Sequence, residues 1–444
     1  MSQDNQLSFA FKTISGKTVT ADFTGGDVTS DGGLLLLREL ADRMGIVDRL
    51  AAVIPDTRHP SYTRHDITTL LSQRILQIAC GYEDADDCDD LRTDPGFKAA
   101  CDRLPSGYDL ASQPTMSRFE NALSSKDVYR IANALIEQFI ASYDTPPEAI
   151  ILDIDDTDDP THGAQQMSLF NAYHDTYCYM PLFIFEGRSG KLITSILRPG
   201  KRPTGREVRS IIKRVVKRLR TAWPSAGIII RGDSHFATPE LYAWCERRTV
   251  HFILGLSTNA VLKRRAQSAL AAARRRYERT GQPSRVYRQI RYQAKSWHRE
   301  LRVIVMAEVS AMGGNVRFIV TSFERSRPSF LYESVYCGRG RMENFIKDHK
   351  NALKSGRTSC HSFIANSFRL MLHSAAYMIL HALRETALAG TDFATAQFDT
   401  IRLRLLKVGA EVREMKTKLR FILPSSFPLK NVFAVMHQRL VLMT

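Results

Sequence analysis

A chain of 444 residues, 44% of them hydrophobic, is long enough for two or three domains with a sizeable core. Its formal net charge of +16 predicts a polyanionic partner, nucleic acid before membrane, because no apolar run approaches the ~18 residues of a membrane-spanning helix. The seven cysteines stand singly and no secretory signal opens the sequence, which argues against zinc fingers and disulfides and favours the cytoplasm.

Residues 1–146 are predicted to form a mostly helical region after a short β-like start. In that start, Leu7, Phe9 and Phe11 alternate with polar residues, which is the period of a strand. Apolar residues at helical spacing then follow, with capping residues before them and glycines after them. The paired prolines Pro146 and Pro147 mark the end of this region.

A polar segment within this region is a candidate DNA contact. Pro114 and Thr115 stand where a helix should begin, so Arg118 and Asn121 would lie on its N-terminal turns. Helix-turn-helix proteins place such turns on phosphates and base edges. The segment therefore predicts a DNA-contacting helix that includes Arg118, and an ordinary polar surface helix is the alternative.

After the proline pair the pattern changes to strands. The apolar run that begins at Ala149 ends in carboxylates, which is how a buried strand delivers ligands to the edge of a sheet. Alternation along the strand places Asp153 and Asp155 on one face and Asp156 on the other. This pattern alone leaves all three aspartates open as site residues.

A second apolar strand also ends in an acidic residue. A hairpin and an amphipathic helix come first, and the run Gly227–Ile230 then leads to Asp233. An aspartate after a strand is also an ordinary way to begin a turn. With a last strand at His251–Leu256, the predicted order is strand, strand, strand, helix, strand, helix, strand.

The stretch from Val261 to Arg302 is strongly basic. It contains thirteen lysines and arginines and only two acidic residues, which makes it the main positive region of the chain. Its first half has helical spacing and its second half alternates like β-structure. We expect the run Arg274, Arg275 and Arg276 to neutralise nucleic-acid phosphates.

The segment from Tyr336 to Lys350 brings one carboxylate together with several cations. On an α-helix, Tyr336, Arg339, Glu343 and Lys350 would lie within roughly 60° of one face, and Lys347 follows Glu343 by four residues. A solvated salt-bridge face is the ordinary interpretation. The functional interpretation is that Glu343 holds a metal ion while the cations meet phosphates.

The spacing Tyr-(2)-Arg-(3)-Glu-(6)-Lys is met here without a gap, and it resembles the signature of bacterial insertion-sequence transposases of the D-D-E type. Related transposases carry Asp-x-Thr at the end of their first strand, which Asp155-Asp156-Thr157 matches. The resemblance therefore implies Asp155 as the first metal ligand, with Asp153 and Asp156 as runners-up. The implied triad of Asp155, Asp233 and Glu343 would bind Mg²⁺, with Mn²⁺ as a substitute.

The resemblance also implies roles for residues that meet DNA. Arg339 and Lys350 would orient the phosphate next to the scissile bond, Tyr336 would stack on it or contact it, and Lys347 would meet a phosphate. Trp297, in the basic stretch, has two interpretations. It is either a core residue or the stacking platform for an unpaired base that similar enzymes with a β-rich insertion use.

The implied fold is α/β: a ribonuclease-H-like mixed sheet with a helical N-terminal domain and a basic, partly β insertion domain. The expected divisions are a DNA-binding region at 1–146, the first part of the core at 147–256, the insertion at 257–325, the completion of the core at 326–390, and a C-terminal region at 391–444. In that last region Ile401, Leu403 and Leu405 alternate with arginines, which predicts a strand beside one at 416–423.

The implied function is DNA transposition in the bacterial cytoplasm, at the nucleoid and with no membrane involved. The enzyme would bind the terminal inverted repeats of its element as a homodimer, cleave DNA strands, and join the 3′ ends to target DNA. The alternatives are a metal-dependent nuclease that cuts without joining, and a catalytically silent DNA-binding protein.

Overall fold

The computed structural model describes residues 8–442, and the chain divides into two compact units. The first unit contains the described residues up to Ala51, then Asp56–Phe119, then those from Ile379 onward. The second contains Ala52–Pro55 and Glu120–Met378. The expected boundary at residue 146 falls inside the second unit, because the helix Ser125–Ala141 packs on the strand Leu192–Ile196 of that unit.

The first unit is mainly helical. The helix Ile67–Cys80 illustrates why: the Asp66 carboxylate accepts the Thr69 N–H at 2.6 Å at its start, and Gly81 ends it with φ of 94°. Its helices are Leu34–Met44, Ile46–Ala51, Ile67–Cys80, Asp87–Leu91, Pro95–Ala100, Gln113–Asn121, Phe398–Ile401 and Lys430–Leu442.

Two small sheets complete the first unit. The strand Ser8–Ile14 forms a hairpin with Lys17–Asp22, which agrees with the predicted β-like start, although Leu7 lies outside the described residues. The second sheet joins Val28–Thr29, Ala410–Glu414 and Leu419–Ile422.

The strand predicted from Ile401 to Leu405 is wrong. These residues continue a helix through Arg402–Leu406, and Ile401 and Leu405 are buried one helical turn apart. Alternation over only five residues cannot separate a strand from a short helix.

The second unit is built on an eight-stranded mixed sheet. From one edge to the other, its strands are Ser284–Tyr292, Leu301–Ser310, Gly313–Thr321, His251–Leu256, Gly227–Gly232, Ala149–Asp156, Leu182–Glu186 and Leu192–Ile196.

The middle of this sheet agrees with the predicted order of elements. In chain order, the strands at 149–156, 182–186 and 192–196 come first, and the helix Gly205–Ala222 follows them. The helix Pro239–Arg247 then lies between the strands at 227–232 and 251–256. A capping box at Thr204 and Glu207 begins the longer helix, and its apolar face packs in the core against the sheet. The strands Ala149–Asp156 and Gly227–Gly232 pair in parallel, so their carboxyl ends lie at one edge.

The basic insertion is partly β, as predicted, but its three strands extend the central sheet. Gly313–Thr321 pairs with His251–Leu256, and Leu301–Ser310 and Ser284–Tyr292 follow outward. The helices Ala260–Arg265 and Gln267–Thr280 precede these strands, and the second packs on them.

Trp297 belongs to the core of this unit. Its side chain is only 7% exposed, and its ring contacts Tyr242 and Tyr292 at centroid distances of 5.1 and 5.3 Å. A ring that is almost fully buried among other rings offers no open face to a base. The structure therefore favours the core interpretation of Trp297 and argues against the platform.

The remaining helices of the second unit are Ser125–Ala141, a helical segment from Pro328 to Ala352, and Phe363–Ala382, which runs into the first unit. Across residues 8–442, no helix combines the length and apolar character required to cross a membrane.

Candidate active site

Asp155 and Asp233 come together because their strands are neighbours. Asp155 lies near the end of Ala149–Asp156, and Asp233 directly follows Gly227–Gly232, whose last residue is in register with Ile154. Burial raises the pKa of Asp155 to about 7, and the nearby charges of Asp233 and Asp156 oppose its ionisation further. The two predicted aspartates therefore share one electrostatic site.

Asp153 has a different partner. Its carboxylate forms a two-pronged ion pair with Arg231, at 2.5 Å to Nε and 2.6 Å to Nη2, and both side chains are almost fully buried. Arg231 also donates to the carbonyl of Val335 at 2.5 Å. Because its oxygens are taken by a guanidinium, Asp153 is less suited than Asp155 to hold a metal ion.

Asp156, the next residue of the strand, has polar neighbours of its own. His235 Nδ1 approaches its Oδ1 at 3.8 Å, and Arg198 Nη1 approaches its Oδ2 at 4.0 Å. Burial is the main reason why the pKa of Asp156 is raised. Its Oδ2 is buried without a hydrogen-bond partner, so this carboxylate retains an unsatisfied acceptor at the site.

The segment that carries the predicted motif is helical throughout, but it is not a uniform α-helix. Wide turns with i→i+5 bonding occur at Leu331–Tyr336 and Asp348–Ala352, a tight turn at Cys337–Gly340, and a regular α-helix only at Arg341–Lys347. The assumption of 100° per residue over the whole motif is therefore wrong. Such irregular turns are frequent at functional sites.

We call the sheet edge with Asp155, Asp156 and Asp233 the carboxylate edge. Of the five residues predicted from the motif segment, all but Tyr336 nevertheless lie there. Glu343, Lys347 and Lys350 line a cavity of about 280 Å³ together with Asp155 and Asp156. Arg339 Nη2 contacts Asp155 Oδ2 at 3.0 Å.

Tyr336 lies over the strand His251–Leu256, which is the neighbour of the strand that leads to Asp233. A Cβ atom placed on Gly255 would stand 2.7 Å from the Tyr336 hydroxyl and 2.9 Å from the Ser234 backbone nitrogen. The phenol therefore packs over the strand His251–Leu256, next to the segment that holds Asp233.

Lys350 fastens the strand end to the helical segment. Its Nζ donates to the Thr157 hydroxyl at 3.1 Å and to the Asp158 carbonyl, and it contacts the Asp158 carboxylate at 3.3 Å and the buried Asp159 carboxylate at 3.8 Å. Lys350 thus positions the residues that follow Asp155, whereas Lys347 is exposed at the rim.

The donor set suits a hard divalent cation. Over residues 8–442, no three carboxylate, histidine or cysteine side chains are gathered closely enough to hold a metal ion as they stand. The chemistry nevertheless fits a cation. Burial and neighbouring carboxylates raise the pKa of Asp155, and a bound cation would offset the repulsion between these carboxylates. Asp156 also has a buried oxygen without a hydrogen-bond partner. Asp155, Asp233 and Glu343 are the residues that would hold the ion, with Asp156 as the neighbour available to assist.

Sequence reasoning missed Arg231 and His235. A signal for Arg231 was present: it stands two residues before Asp233, as Asp153 stands two before Asp155, so parallel strands with aligned ends bring the pair together. His235 contacts both Asp233 and Asp156 at distances of 3.9 and 3.8 Å. A histidine two residues after the second aspartate was visible, but its reach to Asp156 depends on the fold.

The other predicted DNA contacts lie outside this edge. Arg118, in the first unit, lines a cavity of about 270 Å³ with Arg58, Arg64 and Arg92, and its Nη2 donates to Thr115 at 3.1 Å. Arg274, Arg275 and Arg276 are exposed on the helix Gln267–Thr280 of the second unit. Both places concentrate positive charge.

Comparison with known proteins gives one family. The family model described as transposase DDE domain group 1 matches residues 11–444. A search of the curated proteins finds no match. Among solved structures, the chain is similar to a chain of the piggyBac transposase synaptic complex with hairpin DNA, with 11% identity and a TM-score of 0.44, covering 93% of this chain and 82% of that one.

Proposed function

The chain belongs to the transposase DDE domain group 1 family, and from this premise we propose that it is the transposase of a bacterial insertion sequence. It binds the ends of its element, cleaves DNA strands there, and joins the freed 3′ ends to target DNA. The observation that carries the proposal is the meeting of Asp155 with Asp233 at one sheet edge, where Glu343 lines the adjoining cavity.

The catalytic unit is proposed to be ribonuclease-H-like. Support comes from the order strand, strand, strand, helix, strand, helix, strand between Ala149 and Leu256, and from the central parallel pair that carries both aspartates. The arginine-rich segment that follows adds strands to the same sheet and exposes cations.

Each motif residue has a proposed task that its contacts support. Asp155, Asp233 and Glu343 would hold Mg²⁺, or Mn²⁺ in its place, and the bound metal would supply activation of the attacking oxygen and stabilisation of the leaving oxygen. Arg339, now 3.0 Å from Asp155, is placed to exchange that carboxylate for a DNA phosphate. Lys350 keeps the Thr157–Asp159 turn in place, Lys347 meets phosphate at the rim, and Tyr336 packs beside Asp233.

Binding of DNA is proposed to use several cationic places. The cavity with Arg118 and three further arginines suits backbone phosphates, as does the exposed face with Arg274, Arg275 and Arg276. Pairing of two element ends requires two copies of the chain, so we propose a homodimer on DNA, acting at the nucleoid in the cytoplasm.

The test is cleavage and joining of DNA that carries the sequences flanking the reading frame. Asp155→Asn, Asp233→Asn and Glu343→Gln should each lower Mg²⁺-dependent cleavage by about 10²–10³-fold, the size of effect seen when a group that stabilises transition-state charge is removed. DNA binding should remain within about threefold. Asp144→Asn, an exposed carboxylate outside the site, serves as the matched control.

The products separate the alternatives. Joined products in a target plasmid support a transposase, cleavage without joining supports a nuclease, and binding without either supports a silent DNA-binding protein. Full activity of Glu343→Gln would overturn the proposed site. If Asp156→Asn loses cleavage while Asp155→Asn retains it, the first ligand is Asp156.

A further inference from the structure

An aromatic hairpin projects beside the catalytic edge. Within three residues of Asp156, the chain enters a small three-stranded sheet formed by Asp159–Pro160, Leu169–Asn171 and Thr176–Tyr179. We call residues 161–177 the aromatic hairpin. It comes between the first and second strands of the central sheet and was not singled out by the sequence patterns.

The exposed face of the aromatic hairpin is unusually rich in rings. Phe170 and Tyr177 are cross-strand partners with ring centroids 5.6 Å apart, and Tyr173 projects from the connecting turn. These three side chains are 52%, 60% and 86% exposed. Single exposed aromatics are ordinary on protein surfaces, but a contiguous group marks a binding surface.

Hydrogen bonds connect the hairpin to the segments around all three proposed catalytic residues, Asp155, Asp233 and Glu343. The strand of Asp155 ends at Asp156, and three residues later Asp159 pairs with Tyr179 at the base of the hairpin. Asn171 donates to the Gly200 carbonyl at 3.1 Å, and Arg202 nearby donates to the carbonyls of Ser234 and His235, after the second aspartate.

The third attachment is to the segment that follows the Glu343 helix. Gln165 donates to the Thr358 carbonyl at 2.6 Å, and the His361 carbonyl accepts the Gln166 N–H at 3.0 Å. Residues joined to each catalytic segment hold a fixed position relative to the carboxylates. The exposed rings are therefore a positioned surface and not the tip of an unsupported loop.

Positive charge borders this surface. Lys201 and Arg202 are exposed, and they directly follow Gly200, whose carbonyl accepts the bond from Asn171 of the hairpin. Aromatic rings flanked by cations at the end of a catalytic cleft are the chemistry that binds single-stranded nucleic acid, because each base offers a π-face and each phosphate a charge. Paired bases inside a duplex hide those faces, so the rings select unpaired ones.

We propose that Phe170, Tyr173 and Tyr177 form a stacking platform for unpaired DNA bases next to the phosphate that the enzyme cleaves. The proposal rests on the proposed function, since it places DNA at the Asp155 edge. It gives the aromatic hairpin the stacking role that was one of two interpretations of Trp297, a residue that the structure buries. The ligand is single-stranded DNA of a few nucleotides that continues from a duplex.

The experiment compares two DNA probes of arbitrary sequence with the full-length chain. One is a blunt 20-base-pair duplex, and the other is the same duplex with a four-nucleotide 3′ extension. The wild-type protein should bind the extended probe about tenfold more tightly, since stacking of one or two bases on aromatics has this effect. Fluorescence anisotropy gives both dissociation constants at one salt concentration.

The variants remove the rings and then restore them. Tyr173→Ala combined with Tyr177→Ala should abolish the preference for the extended probe and leave blunt-duplex affinity within about twofold. Tyr173→Phe combined with Tyr177→Phe keeps the ring faces and should restore the preference. Phe330→Ala, which removes a ring that is 53% exposed elsewhere in the unit, is the matched control and should change neither affinity.

Each remaining outcome decides against the platform in a distinct way. Equal wild-type affinity for both probes overturns the platform and leaves the proposed function intact, whereas failure to bind either probe overturns both. Sedimentation of the same variants tests whether a second copy of the chain covers the hairpin instead of DNA. If Tyr173→Ala combined with Tyr177→Ala turns a dimer into a monomer and keeps the preference for the extended probe, the hairpin is a contact between copies of the chain.

Discussion

The carboxylate edge and the basic helix Gln267–Thr280 belong to the same unit, but they carry their charges in opposite environments. At the edge, Asp153 and Arg231 are buried and paired with each other, and the partly buried Asp155 contacts Arg339. On the helix, Arg274, Arg275 and Arg276 are exposed, and only the small residues beneath them are buried.

This difference separates two uses of charge. Removing the partner of a buried charge costs much folding free energy, because no water replaces the lost partner. An exposed cation is screened by solvent and salt, and its contribution to DNA binding is small and cumulative. Single substitutions should therefore produce large effects at the edge and graded ones on the helix, and the following predictions test that contrast in descending order.

The largest effect on folding is expected at Arg231. Arg231→Met leaves Asp153 as a buried charge without its partner, which should destabilise the second unit by about 3–5 kcal/mol. All three tryptophans, Trp223, Trp244 and Trp297, lie in that unit, so their fluorescence during denaturation by urea reports its unfolding.

A second substitution separates folding from catalysis. Asp153→Leu added to Arg231→Met removes the unpaired charge and should recover most of the stability. Cleavage should stay impaired, because the bond from Arg231 to the Val335 carbonyl, which ties the strand of Asp233 to the motif helix, is still missing. Recovery of both properties together would mean that Arg231 has no positioning role.

The next effect is a pH dependence from Asp159. Burial raises its pKa from 3.8 to about 7, with Lys350 as the opposing charge. Since the folded state holds this proton more tightly than the unfolded state, the contribution of Asp159 to stability is greatest below pH 4 and is lost as the pH rises through 7. One pKa unit corresponds to 1.36 kcal/mol, so the loss from this group is at most about 4 kcal/mol.

Asp159→Asn should abolish that loss. The free energy of unfolding should be measured with a chelator present, so that no divalent cation binds. The variant should then match wild type near pH 4 and be more stable above pH 7. Lys350 retains Asp158, so the turn should stay in place. Asp144→Asn controls for removing an exposed carboxylate and should show no such difference. A constant difference at every pH would mean that Asp159 ionises normally in the folded protein.

The sequence predicts the order of the core elements well because that order depends on local patterns. The apolar strand before Asp233 and the amphipathic helix that precedes it are local signals, and both are found. The helices Ile67–Cys80 and Ser125–Ala141 lie in the region predicted to be mostly helical. Neighbouring parallel strands then bring Asp155 and Asp233 together, as their common position at strand ends predicts.

The parts that were missed depend on contacts between distant residues. The motif helix contains wide and tight turns, and Arg231, far away in sequence, bonds the carbonyl of Val335 within one of them. For Trp297, the sequence left the core and the platform interpretations open, and the contacts with two tyrosines from other elements favour the core. The rings of the aromatic hairpin resemble core residues in sequence, because nothing local shows that their faces remain uncovered.

The smallest effect per residue is expected on the basic helix, and it is measured as a salt dependence. Each phosphate contact contributes about −0.9 to the slope of log K against log[salt] on duplex DNA. Arg274, Arg275 and Arg276 are consecutive, so their directions differ by about 100° each and they cannot all face one DNA groove. Replacing all three by Gln should therefore reduce the slope by about 1–2, with the unfolding free energy nearly unchanged because all three are exposed.

The matched control takes the same charge from another helix. Lys213, Lys217 and Arg218 are exposed on Gly205–Ala222, and their replacement by Gln changes the net charge equally. If both triple variants reduce the slope alike, the arginines act through the overall field of the protein and not through contacts. A larger reduction in the 274–276 variant alone would locate the DNA on that helix, and no reduction in either would place the phosphates at other cations, among them those around Arg118.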